Sequence, residues 1–265
     1  MSGLTTEEFI AALKRFFSRR GRSNLMLSDN ATNFVGARNE LRELYEFVNN
    51  QQHKEKTTRW LSEQEVSWKF IPPRTPHFGG LWEAAVRSFK HHFYRINKDT
   101  LFTFEQFNTL IIEIEAILNS RPLTPLSSEP DDLSVLTPSH FMIGGLLSSI
   151  PEYDFTDTPS NRLSQWQHIQ KLKRDFWNRW NKEYLTELSQ RTKWKTDKRP
   201  TLQTGDLVII REDKTPPLYW PIGRITNVYP GNDKIIRVIE VKTASGIFKR
   251  ATRNVALLSI TKTEE

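Results

Sequence analysis

Apolar residues recur every three or four positions in five stretches of the chain, a spacing that predicts amphipathic helices. These stretches are residues 9–20, 37–48, 81–97, 104–119 and 163–190. Two short apolar runs, Leu25–Leu27 and Val66–Ile71, have the length and composition of strands. Because helices flank both runs, the N-terminal half predicts an α/β fold with parallel strands.

Beyond residue 200 the pattern changes to short strand-like runs separated by glycine, proline and Asn-Asp turns. The runs are residues 205–210, 222–225, 235–241 and 246–250. Short strands spaced by turns predict a small β-barrel. Between the two halves, residues 122–159 contain six prolines and predict a connector.

These elements predict three successive parts of the chain. An α/β domain covers residues 1–147, and a linker covers 148–162. A C-terminal domain covers 163–260, in which a helix at 163–190 precedes a barrel at 202–260.

Asp29 follows the strand Leu25–Leu27, in the motif Ser28-Asp29-Asn30-Ala31-Thr32-Asn33-Phe34. In a purely structural role, an aspartate at a strand end accepts hydrogen bonds from backbone amides of the next turn. In a functional role, the same carboxylate faces the crevice where open α/β sheets bind ligands, and it can hold a divalent ion. The residues alone leave both interpretations open.

Glu83 ends the motif Pro76-His77-Phe78-Gly79-Gly80-Leu81-Trp82-Glu83. On a helix that starts near Leu81, Glu83 shares a face with Arg87 and Lys90. The ordinary interpretation is a solvated pair of opposite charges. The alternative is a metal-binding carboxylate followed by two cations that face phosphates.

Together the two motifs resemble the integrase region of BEL/Pao-type retrotransposon polyproteins, and the resemblance covers nearly the whole chain. It implies a ribonuclease H-like catalytic core with a triad of two aspartates and one glutamate. Asp29 and Glu83 match the second and third members, whereas the family's first aspartate lies upstream of the matching region. We therefore expect a core without its N-terminal strands and without one catalytic ligand.

The chemistry that the resemblance implies is phosphoryl transfer with two Mg²⁺ or Mn²⁺ ions, a site expected only in the complete enzyme. Asp29 and Glu83 would be both catalytic residues and metal ligands. The loop before Glu83 would border the active site and place His77 on DNA, with Arg87 and Lys90 on phosphates. With one ligand missing, we expect negligible DNA integration by this chain alone.

The C-terminal part resembles the uncharacterised domain that follows BEL/Pao integrase cores. The matching stretches include Trp220-Pro221-Ile222-Gly223-Arg224-Ile225 and Thr243-Ala244-Ser245-Gly246. Its barrel is similar to the SH3-like DNA-binding end of retroviral integrases. By this resemblance Lys249, Arg250 and Arg253 would contact phosphates, which positions DNA without reading its sequence.

Charge is unevenly distributed along a chain whose net charge is +7. Residues 161–265 carry 21 Lys and Arg against 11 Asp and Glu, a surplus of 10, whereas residues 126–160 carry none against six. A basic surplus is typical of proteins that bind polyanions, although a solvated basic face has the same composition.

Composition also limits the partners and sites. The chain has no cysteine, which excludes disulfides and cysteine-containing zinc sites. It has no run apolar enough to span a bilayer and no signal peptide, so we expect no membrane partner. The family resemblance implies that the partners are DNA, both element ends and target, and further copies of the chain, in the nucleus.

Two other functions fit the sequence. The chain could be a non-catalytic remnant of a transposable element that binds nucleic acid or chromatin, which differs from an integrase in metal-dependent nicking of DNA. A two-carboxylate hydrolase such as a glycosidase fits less well, because aromatic subsites around Asp29 and Glu83 are missing.

Overall fold

The computed structural model describes residues 5–50, 66–72, 80–97, 100–127, 129–194 and 202–258, without the side chains of 44–50, 81–82 and 190–194. It divides into two compact units, Met1–Val86 and Arg87–Glu265.

In the first unit, helices α1 (Thr6–Arg20) and α2 (Thr32–Asn50) pack against each other. Gly36 allows this contact, because a Cβ atom there would lie 2.3 Å from Oγ1 of Thr6. Phe9 of α1 places its ring centroid 4.6 Å from that of Phe34 and 5.9 Å from that of Trp68. Aromatic contacts thus connect both helices to the neighbouring sheet.

Strands β1 (Leu25–Ser28) and β2 (Ser67–Phe70) form that sheet. They are parallel, with Leu25 opposite Ser67 and Ser28 opposite Phe70. The prediction of parallel strands flanked by helices is confirmed. Helix α2 starts at Thr32, earlier than the predicted Ala37, so Phe34 and Val35 lie in its first turn.

Helix α3 (Gly80–Ile96) begins in the first unit and continues into the second. The second unit adds α4 (Phe104–Asn119), α5 (Pro138–Ile143) and the long α6 (Gln165–Trp194). The predicted connector contains α5 and a short antiparallel pair, β3 (Thr124–Pro125) with β4 (Val135–Leu136).

Five antiparallel strands complete the second unit: β5 (Leu207–Ile210), β6 (Ile222–Pro230), β7 (Ile236–Thr243), β8 (Gly246–Ala251) and β9 (Val255–Leu257). Their order is β8-β7-β6-β5-β9, with a 3-10 turn at Thr252–Asn254 before the last strand. As described here, β8 and β9 are the two edges, so the sheet is open rather than a closed barrel.

Two hydrophobic cores lie on opposite faces of β5. Leu207 and Ile209 face a core shared with α3, α4 and α6, whereas Val208 and Ile210 face a core made by the sheet alone. In the shared core, the Trp177 and Trp220 ring centroids lie 4.9 Å apart. The indole N–H of Trp220 donates to Oγ of Ser120 (3.1 Å). This hydrogen bond joins the segment just before β6 to the end of α4.

The structure therefore confirms a mixed fold of helices and sheets. The ribonuclease H-like and SH3-like assignments and the domain boundaries at 147 and 163 stay predictions. None of the helices described here has an apolar stretch that could cross a bilayer.

Candidate functional site

Asp29 lies directly after β1 and is exposed. Its Oδ1 accepts a hydrogen bond from the backbone N–H of Ala31 (2.9 Å), just before α2 begins at Thr32. This is the turn contact that the structural interpretation requires. The carboxylate nonetheless stands at the carboxyl end of a parallel strand, the position that the functional interpretation requires.

A hydrogen-bond network fixes the strand ends around Asp29. Asn30 donates its side-chain N–H to the carbonyl oxygen of Ile71 (2.8 Å), which links the ends of β1 and β2. The Trp68 indole donates to Oγ of Ser28 (2.9 Å), and that hydroxyl donates to the Asp29 carbonyl (3.0 Å). The backbone that carries Asp29 is therefore held from both strands.

Glu83 lies in the first turn of α3 and is exposed. The partial positive charge of a helix N-terminus favours a carboxylate there. Arg87 and Lys90 follow on the same helix and are exposed, whereas Phe93 is buried in the shared core. The two faces predicted for this helix, one charged and one apolar, are both present.

Asp29 and Glu83 have the donor chemistry of a Mg²⁺ or Mn²⁺ site. In the described part of the chain, neither belongs to a group of three or more potential ligands. Mg²⁺ is commonly held by one or two carboxylates together with water and substrate phosphates. Asp29 and Glu83 thus have suitable donor chemistry, and a metal site formed by them stays a prediction.

Lys249 lies on β8, at the edge of the five-stranded sheet, opposite Glu240 of β7. Its Nζ lies 4.9 Å from the centre of the Tyr229 ring. The Glu240 carboxylate accepts hydrogen bonds from Asn227 (2.8 Å), Thr226 (3.1 Å) and Tyr229 (3.1 Å). Lys249 therefore belongs to a mixed polar surface rather than to a purely basic one.

Hydrogen bonds and desolvation shift the pKa values of two groups on this surface. The bond from Asn227, followed by that from Thr226, lowers the pKa of Glu240. Desolvation and the neighbouring Glu240 carboxylate raise the pKa of Tyr229. At neutral pH Glu240 is accordingly ionised and Tyr229 is a neutral phenol.

Arg250 follows Lys249 on β8, and successive side chains of a strand point to opposite faces of the sheet. Its guanidinium lies 5.1 Å from the centre of the Phe248 ring and 3.4 Å from a carboxylate oxygen of Glu212. Arg253 is exposed in the 3-10 turn that follows. Lys249 and Arg250 are thus adjacent in sequence but point to opposite faces of the sheet, and Arg253 lies in the turn after β8.

The acidic segment 126–160 pairs with several of the basic residues further along the chain. Asp131 lies 2.6 Å from Nζ of Lys242, and Asp154 lies 2.9 Å from the guanidinium of Arg174. The hydrogen bond and charge of Lys242 lower the pKa of Asp131. Two further pairs are Lys173 with Glu152 (2.5 Å) and Lys214 with Asp157 (3.3 Å). Part of the basic surplus is therefore neutralised internally.

His77 lies outside the described residues, and its predicted contact with DNA stays a prediction. The sequence interpretation missed Asn30, Tyr229 and Glu240. Asn30 lies in the motif of residues 28–34, in which the sequence indicated a role for Asp29 but not for Asn30. The roles of Tyr229 and Glu240 depend on the β6–β7 register, which has a bulge between Ile225 and Asn227 and which side-chain alternation alone does not give.

The comparisons with known proteins concern different lengths of the chain. Residues 164–258 match the model of a family described as a family of unknown function, DUF5641. No curated protein matches the chain. One similar solved structure is the cryo-electron microscopy structure of the simian T-cell lymphotropic virus intasome in complex with PP2A regulatory subunit B56 gamma. The similarity covers 97% of this chain and 66% of that chain, with 11% sequence identity and a TM-score of 0.33. This chain thus spans about two thirds of the chain to which it is similar.

Proposed function

We propose that this protein is a retrotransposon integrase segment that binds the backbone phosphates of DNA. The observation that carries the proposal is the position of Asp29, a motif carboxylate at the carboxyl end of a parallel strand. The charged face of α3 supports it, because Arg87 and Lys90 follow Glu83 at helical spacing and are exposed.

The strand order of the C-terminal sheet supports the SH3-like part of the proposal. Strands β5 to β8 form an antiparallel meander, and β9 returns after a 3-10 turn to pair with β5. A meander whose first strand also pairs with the last is the connectivity of small SH3-like barrels. In this arrangement Lys249 and Arg253 lie at one edge of the sheet and in the adjoining turn.

A divalent ion, when bound, would stabilise negative charge on a reacting phosphate oxygen. Asp29 and Glu83 are the residues that would hold it, and Arg87 and Lys90 would hold the DNA backbone. Since two carboxylates supply only part of a two-ion site, we propose that the 265-residue chain binds DNA without joining DNA ends.

A test of DNA binding compares two triple variants of equal charge. Lys249→Ala/Arg250→Ala/Arg253→Ala removes the proposed contacts, and Lys14→Ala/Arg15→Ala/Arg19→Ala removes three cations from α1. Each phosphate contact contributes about 0.9 to the slope of log affinity against log salt. We expect the first variant to lower the slope by about 2–3, and the second to change it much less, in fluorescence anisotropy titrations with duplex DNA. Equal effects of both variants would show that net charge, not these three positions, governs binding.

A test of catalysis incubates the chain with DNA ends and Mg²⁺ or Mn²⁺. We expect end trimming and strand transfer to stay at background, because Asp29 and Glu83 would supply only part of the ligands of a two-ion site. Activity that disappears in Asp29→Asn and in Glu83→Gln would contradict this and indicate a third ligand supplied by the chain or by a second copy.

The non-catalytic alternative, a nucleic-acid-binding remnant, is favoured by one observation. Oδ1 of Asp29 is already used by the Ala31 backbone amide, which suffices to explain why an aspartate stands there. Under this alternative, joining the family's N-terminal strands and first aspartate to this chain gives no nicking of DNA, whereas the integrase interpretation predicts that it does.

A further inference from the structure

Three potential metal ligands meet between α3 and α6, away from the motifs considered above. His91 and His92 are adjacent on α3, and Glu183 lies on α6. Their ligand atoms all lie within 4.8 Å of one another. Nε2 of His92 is 3.3 Å from a Glu183 carboxylate oxygen, and Nε2 of His91 is 3.9 Å from the same oxygen.

His92 is the central observation, because it is buried without hydrogen-bond partners. Only 3% of its surface is exposed, and neither ring nitrogen makes a hydrogen bond to the part of the protein described here. A carboxylate oxygen of Glu183 lies 3.3 Å from Nε2 as an ion-pair partner, outside hydrogen-bond geometry. Buried polar groups are nearly always hydrogen-bonded, so a buried imidazole whose two nitrogens lack hydrogen bonds needs an explanation.

The surroundings fix the His92 ring. Its centroid lies 5.6 Å from that of Phe176 in an edge-to-face contact and 5.0 Å from that of His91. These contacts restrict the rotation of the ring, whose nitrogens are potential metal-ligand atoms.

We propose that His91, His92 and Glu183 form a site for a transition-metal ion of the Zn²⁺ type. Zn²⁺ binds imidazole nitrogen and carboxylate oxygen at about 2.0–2.2 Å, which places tetrahedral ligand atoms about 3.3 Å apart. The distance between Nε2 of His92 and Glu183 matches this value, and the 3.9 Å distance of His91 is closed by a small rotation of an exposed side chain. Three protein ligands leave one position open.

The cationic neighbours are compatible with the site. Arg95, one turn beyond His91, contacts Nε2 of His91, and it is exposed, so it can swing into solvent when an ion binds. Arg179, one turn before Glu183, acts on His92 only through its charge. The site needs neither Asp29 nor Glu83, so its test is independent of the proposed function.

The experiment titrates the full chain with Zn²⁺ by calorimetry and with Co²⁺ by visible absorption. We expect one equivalent of Zn²⁺ to bind and raise the melting temperature, and Co²⁺ to give the visible bands of a four-coordinate site. His91→Ala and Glu183→Gln change exposed side chains, which keeps loss of folding from obscuring the result, and each should weaken Zn²⁺ binding at least about 100-fold.

Two controls are matched to these variants. His168→Gln removes another histidine of the same unit, and Asp29→Asn/Glu83→Gln removes the motif carboxylates; both should bind Zn²⁺ like the unaltered chain. The proposal is overturned if the unaltered chain binds no Zn²⁺ at micromolar concentration. It is equally overturned if His91→Ala and Glu183→Gln bind Zn²⁺ as tightly as the His168→Gln control.

Discussion

At the scale of single residues, Arg224 has a structural role that could not be predicted from the sequence. It stands in a stretch of alternating strand residues, where an arginine would ordinarily face solvent. The structure leaves it 5% exposed, with its guanidinium donating to the carbonyl oxygens of Gly205 (2.8 Å), Asp132 (2.6 Å) and Ser127 (3.2 Å). Arg224 thereby fixes the loop before β4 to the sheet.

Replacing Arg224 by methionine should therefore destabilise the protein. Three carbonyl groups lose a charged donor while the volume stays similar, a change that costs about 2–4 kcal/mol of unfolding free energy. Urea unfolding followed by tryptophan fluorescence measures the loss. Arg237→Met is the control, because Arg237 is exposed and pairs with Asp233 on the surface. Equal unfolding midpoints for the two variants would show that the Arg224 bonds add nothing.

In the candidate site, some contacts could be predicted from the sequence and others could not. The position of Asp29 follows from local sequence, since a strand and the turn after it lie within seven residues. The neighbours of Lys249 do not, because Tyr229 and Glu240 reach it only through pairing of three strands. Local geometry was predictable, and contacts that depend on strand register were not.

At the scale of elements, periodicity located the helices well. Helix α4 spans Phe104–Asn119 as predicted, because its apolar positions are regularly spaced and Thr103 caps it. Strand β1 is different: a run of apolar residues is typical of a buried strand, yet Leu25 is 46% and Leu27 is 54% exposed. In the part of the chain described, β1 pairs with β2 alone. An unpaired edge beside exposed leucines favours association.

We accordingly expect Leu25→Thr/Leu27→Thr to reduce self-association without lowering the unfolding midpoint, since little buried area is lost and threonine suits a strand. Sedimentation velocity over a concentration series measures the effect. Leu101→Thr/Ile150→Thr serves as the control, because both residues are exposed in the other unit. A chain that stays monomeric at every concentration, or a control with the same effect, contradicts this expectation.

At the scale of the whole molecule, the acidic segment 126–160 neutralises part of the basic charge of the C-terminal half. The ion pairs Asp131–Lys242 and Asp157–Lys214 place two cations of the basic half beside carboxylates. A composition count cannot foresee such pairing, because the partners are 111 residues apart in one case and 57 in the other. Phosphates must compete with these carboxylates for the same ammonium groups.

Neutralising both carboxylates should therefore release both lysines for DNA. We expect Asp131→Asn/Asp157→Asn to raise affinity for duplex DNA and to steepen its salt dependence by up to about 2. Glu105→Gln/Glu129→Gln makes the same change in net charge at residues for which the described structure has no ion pair. If the control raises affinity equally, long-range repulsion rather than ion pairing explains the gain.

The hydrogen bond between Ser120 and Trp220 has a consequence for recombination. The segment that matches the family of unknown function begins at residue 164, yet its aromatic core is completed by α4 and by the carbonyl of Pro122, which accepts a hydrogen bond from Tyr184. A recombination event that moved residues 164–258 alone into another gene would leave those aromatic side chains without their cover. Recombination that preserves this core should therefore carry residues 87–258 together, because Phe93 of α3 also belongs to the core, and crossover points should accumulate outside that range.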